Sequence, residues 1–96
     1  MDTITRSQML RLFLTSSASR PVSIVYMHYS PSRGVSEGKV SVPRCYAIPR
    51  GASSRGRYLT YIDLDDPGGH PITIHEATLL FIDNKKVMYR NLATDL

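Results

Sequence analysis

The residues best suited to chemistry in this chain are cationic and aromatic rather than nucleophilic. Arg44, Arg50, Arg55 and Arg57 lie close together, with Lys39, Tyr46 and Tyr58 among them, and no Asp or Glu falls between Lys39 and Arg57. Arginine forks grip phosphate groups through two-point contacts, and tyrosine rings stack on bases. Lys39, Arg44, Tyr46, Arg50, Arg55, Arg57 and Tyr58 therefore form the candidate surface for nucleic acid or a nucleotide. The competing expectation is a solvated basic loop whose charge only keeps the chain in solution.

Other chemistries fail on spacing. Gly51-Ala52-Ser53-Ser54-Arg55-Gly56-Arg57-Tyr58 has the spacing of a phosphate loop. It lacks the lysine, the magnesium-binding hydroxyl and the following helix that such a loop requires. Asp63, Asp65 and Gly68 open like a calcium loop, but Pro67 and Ile74 occupy positions that must supply oxygen ligands. His28, His70 and His75 are too scattered for a zinc site, and His28 is read as a half-buried strand residue. Cys45 has no local nucleophile motif and is expected to be a small buried hydrophobe. Ser53-Ser54 lacks the strand-turn-helix setting of a nucleophile elbow. No catalytic residue, metal ligand or cofactor is expected, and the chain is read as a non-enzyme.

The elements that must carry the basic group follow from periodicity. Thr5-Arg6-Ser7-Gln8 fits a capping box, and Met9, Leu10, Phe13 and Leu14 follow at helical spacing, which predicts one helix over about residues 5–15. From Pro21 to Tyr29, apolar groups alternate onto both faces, as in a central strand. Lys39–Ile48 reads as a strand that Pro43 must bend or bulge, and Arg57–Leu64 as the next. Pro71–His75 and Ala77–Ile82 follow, and Val87–Leu92 reads as a short final strand. Ser30–Gly34, Pro49–Gly56, Asp66–Gly69 and Asp83–Lys86 supply the loops and turns. One helix and about five short strands predict a mainly β (α+β) fold. The expected form is a small antiparallel barrel over about residues 21–92, or a strongly curved sheet, with the helix at one end.

Composition bounds the rest. With 96 residues, 42% of them hydrophobic and 21% charged, the chain is expected to be one folded domain spanning residues 1–96. A single cysteine leaves no internal disulfide and suits a reducing compartment. The longest apolar run near the N-terminus is Leu12-Phe13-Leu14, too short for a signal peptide or a membrane span. A soluble, cytoplasmic protein is expected. The net charge of +4 divides unevenly: residues 1–57 hold nine Lys or Arg against two acids, and residues 58–96 hold three against six. Such a split points the basic part toward an anionic partner.

From about residue 10 to 84 the layout resembles a WYL domain, an Sm-like or SH3-like barrel of bacterial and phage regulators. The matching pieces are Pro21-Val22-Ser23-Ile24-Val25-Tyr26, Lys39-Val40-Ser41-Val42-Pro43, Arg57-Tyr58-Leu59, and the closing Pro71-Ile72-Thr73-Ile74-His75-Glu76-Ala77. Arg57 stands where the family has Trp, and His75-Glu76-Ala77 occupies the place of its Asp-Arg-Ile turn. The resemblance implies a divergent, stand-alone barrel with a regulatory role, and a phage origin.

Two functions from different classes remain. One is a nucleic-acid or nucleotide module acting through the Arg/Tyr stretch. The other is a protein-binding module, either a phage effector that inhibits a host protein or a self-associating structural unit. In that second reading, strand edges or the Val87–Leu92 tail extend a partner's sheet.

Overall fold

The computed structural model describes residues 2–30, 35–48, 58–66 and 68–89. Thr5 caps the helix as the sequence predicts: its hydroxyl accepts from Gln8 N at 3.2 Å, and Gln8 Oε1 accepts from Thr5 N at 3.1 Å. The helix, α1, runs Arg6–Leu14 and buries Met9 and Phe13. Leu14, expected on the apolar stripe, is instead exposed, while Leu10 and Leu12 pack partly against the core.

Seven strands follow the chain order: β1 (Thr3–Thr5), β2 (Val22–Ser30), β3 (Val35–Ala47), β4 (Tyr58–Asp63), β5 (Ile72–His75), β6 (Leu79–Ile82) and β7 (Lys85–Met88). They form one mixed sheet in the order β1-β7-β6-β2-β3-β4-β5. Strand β2 pairs on both edges, with β3 and β6. This is the central position that its two apolar faces predict.

Of the small barrel of about five strands, or strongly curved sheet, expected from the sequence, the structure has the mainly β content and the one N-terminal helix among the described residues. The sheet has seven strands and is open, ending at β1 and β5. It must nevertheless curl. Laid flat, β6-β2-β3-β4-β5 would hold β5 and β6 four strand spacings apart, about 19 Å. Only the short 3-10 turn Glu76–Thr78 joins them, and such a link spans at most roughly 14 Å. The turn Glu76–Thr78 thus draws β5 and β6 toward each other without pairing them.

One strand, β1, is additional to those expected, and the expected final strand is shifted to become β7. Strand β1 precedes the helix and pairs parallel with β7, Ile4 opposite Val87. Its partner lies at the far end of the chain, so no local pattern announces it. Strand β7 starts earlier than the predicted Val87 because the turn contains only Asp83 and Asn84, at φ 49° and 66°. Two consecutive left-handed residues make the tight hairpin turn whose twist suits antiparallel strands, so Lys85 and Lys86 belong to the strand.

Two register shifts bend β3 against β2. Val22 and Ile24 face Cys45 and Val42, so one extra residue sits in the Pro43-Arg44 step. Pro43 has no N–H to pair, and a bulge accommodates it. The other shift lies between Met27 and Tyr29, opposite Gly38, whose φ of +103° few other residues adopt. His28 stands at this shift and is exposed, not half-buried as expected.

Core side chains converge from every main element: Met9 and Phe13 from α1, Ile24 from β2, Cys45 from β3, Tyr61 from β4, and Leu79 and Ile82 around the turn and β6. Tyr26 and Tyr61 meet inside this core, their hydroxyls 2.9 Å apart and their rings edge to face. Among the described residues no buried side-chain N or O lacks a partner.

Candidate nucleic-acid interface

The bulge at Pro43-Arg44 decides which residues of β3 face outward. Val40 and Val42 lean toward the core, and Lys39, Ser41 and Pro43 lie away from it. Without an extra residue, strict alternation would expose Cys45 and bury Tyr46. The extra residue reverses the phase, so Cys45 is fully buried while Arg44 is exposed and Tyr46 partly so. Burial pushes the Cys45 thiol up to about 12, with smaller contributions from Asp63 and Asp83. The thiol is therefore kept protonated, as befits the inert packing residue the sequence predicts.

Strand β4 adds the second aromatic. Leu59 and Tyr61 point into the core, leaving Tyr58, Thr60 and Ile62 on the other face. Tyr46 sits opposite Ile62, and Tyr58 lies four residues along β4 from that pair, roughly 13 Å at strand rise. Tyr58 is 51% exposed. Its ring meets His75 of β5 edge to face, with centroids 5.2 Å apart. Beside it, the Thr60 and Thr73 hydroxyls are 2.8 Å apart.

Lys39, Arg44, Tyr46 and Tyr58 thus share the outward face of β3 and β4. The structure modifies the expected charge of that face. Arg44 Nη2 donates to Asp65 Oδ1 at 2.7 Å, so this arginine of the face is already paired with the acid in the turn after β4. That hydrogen bond holds the Asp65 carboxyl below the usual carboxylate range. Lys39 is exposed and has no ion pair among the described residues. Arg50, Arg55 and Arg57 lie outside the described residues, as does the whole of the Pro49–Gly56 loop.

Sequence reasoning passed over His75 as a member of this face. The signal was available: Ile72 and Ile74 as inward residues leave Thr73 and His75 outward, opposite Thr60 and Tyr58. His75 also holds the 3-10 turn, its Nδ1 accepting from Ala77 N at 3.1 Å. The same turn buries Glu76, whose carboxylate receives both a guanidinium Nε and an Nη2 hydrogen bond from Arg6. Tyr89 closes this corner by donating to Glu76 O, at 2.6 Å, and lying 2.5 Å from Leu79 O.

Among the described residues, no group of three or more His, Cys, Asp or Glu is placed to hold a metal ion. No helix among them is long and apolar enough to cross a membrane. No family model, curated protein or solved structure matches the chain.

Proposed function

We propose that this protein is a non-catalytic module that binds single-stranded nucleic acid or a nucleotide on the outward face of β3 and β4. The carrying observation is that two tyrosines, Tyr46 and Tyr58, lie with Lys39 and Arg44 on the side of β3 and β4 turned away from Cys45, Leu59 and Tyr61. Stacking on tyrosine is tolerant of base identity, and the cations follow the phosphates. Recognition of shape and charge is therefore expected, with little sequence preference. The curled five-strand array β6-β2-β3-β4-β5, with its helix, also supports kinship with the WYL-type regulators and their Sm- or SH3-like barrels.

The test is fluorescence anisotropy with a short labelled oligothymidylate at low salt, comparing the wild type with Tyr58→Ala. Loss of one stacking platform should weaken binding about 5- to 150-fold, the equivalent of roughly 1–3 kcal/mol per base. Equal binding by the two proteins would remove β4 from the interface.

The second reading, a protein-binding or self-associating module, rests on β5. It pairs with β4 on one edge and has no strand on the other among the described residues. Such an edge can accept a strand from a partner or from a second copy. Of the expected tail strand Val87–Leu92, Val87 and Met88 are paired within β7, between β6 and β1, and the chain beyond Tyr89 lies outside the described residues.

A further inference from the structure

A cleft of about 410 Å³ opens between α1 and the β1–β7 edge of the sheet. Four of its lining residues, Gln8, Arg11, Leu12 and Thr15, recur at the spacing of one helical stripe, and Thr3, Ile4 and Lys85 line it from the strands. The volume lies within the roughly 300–1,000 Å³ typical of small-molecule sites. Its chemistry is two-sided: Leu12 and Ile4 provide aliphatic surface, whereas Arg11 and Lys85 provide positive charge. No acid lines the cleft, and neither cation forms an ion pair among the described residues. Arg6, one turn earlier on the same helix, is by contrast held by Glu76.

We infer that this cleft binds a small amphipathic carboxylate, its alkyl or aryl tail against Leu12 and Ile4 and its head group between Arg11 and Lys85. A guanidinium gives a carboxylate a two-point partner, and the lysine adds a second charge. The Gln8 amide NH2 and the Thr3 hydroxyl supply neutral donors near the head, whereas the Thr15 hydroxyl is committed to the carbonyls of Arg11 and Leu12. A cation is excluded by the two like charges, and a fully polar anion would leave the aliphatic part of the cleft in water. This site is separate from the face of β3 and β4, so it stands or falls independently of nucleic-acid binding.

The experiment is a titration of the ¹⁵N-labelled protein with sodium octanoate at constant ionic strength, read by amide chemical shifts. Saturable shifts are expected at Thr3, Ile4, Gln8, Arg11, Leu12, Thr15 and Lys85. For a ligand of this size the dissociation constant should be on the order of 1 mM. Acetate, with the head but no tail, and octylammonium, with the tail but the opposite charge, should each leave these amides unshifted over the same range. The double variant Arg11→Gln with Lys85→Gln should bind octanoate at least tenfold more weakly, while its other amide shifts report an unchanged fold. Absence of saturable shifts with octanoate would overturn the proposal. So would equal shifts with acetate or octylammonium, and these wild-type arms decide the matter even if the variant does not fold.

Discussion

At the scale of single residues, the charge of the β3–β4 face depends on how Arg44 is used. The sequence shows a cation-rich stretch without acids, and that much of the site is legible because the residues are consecutive. What it conceals is Asp65, which lies beyond the stretch in sequence but reaches Arg44 across the β3–β4 pair. An exposed ion pair of this kind contributes little to stability, yet it reduces the charge that the face offers an anion. Asp65→Asn should leave the fold intact and tighten oligothymidylate binding several-fold, because it removes a negative charge and releases a guanidinium for phosphate. An unchanged or weakened affinity would place the bound strand away from Arg44. Cys45 was legible for a simpler reason: a lone cysteine with no local partner motif is more often packing than chemistry.

At the scale of elements, the helix and the central strand were readable because their signals are local. The capping box spans four consecutive residues, and the alternation in β2 needs no partner to be seen. The Pro43 bulge was also readable, but its consequence, Tyr46 outward and Cys45 inward, depends on the register against β2. Strand β1 was not readable at all, because its pairing partner is β7. The Tyr26–Tyr61 contact illustrates energetics that only pairing reveals. These buried hydroxyls are partners of each other, so removing one strands the other. Tyr26→Phe alone should cost about 1–3 kcal/mol in a urea unfolding series, whereas Tyr26→Phe with Tyr61→Phe should recover much of that loss. Strictly additive costs would show that the two hydroxyls are not coupled.

At the scale of the whole molecule, the curled sheet encloses several weak acids in their protonated forms. Burial raises the pKa of Cys45, Tyr61 and Tyr89, in each case as the largest cause. Folded and unfolded chains bind these protons equally below about pH 8; above it the unfolded chain releases them first, the Cys45 thiol being half-ionised at its ordinary 9.0. Stability should therefore be level in this respect up to about pH 8 and fall ever more steeply above it. Urea midpoints at pH 8 and pH 10.5 measure the effect, and Cys45→Ala should make the decline shallower. A midpoint that holds constant to pH 10.5 would contradict the burial of all three groups.

The central claim is that a cationic, tyrosine-bearing face binds a polyanion. It is tested most directly by the salt dependence of binding to a short single strand, measured by fluorescence anisotropy at about 50 and 200 mM salt. With about four phosphate contacts, affinity should fall roughly 50-fold between the two conditions, since each contact on a single strand contributes about −0.7 to the logarithmic slope. Affinity that collapses in this way is the predicted result. Binding that is insensitive to salt, or absent at both concentrations, would contradict it.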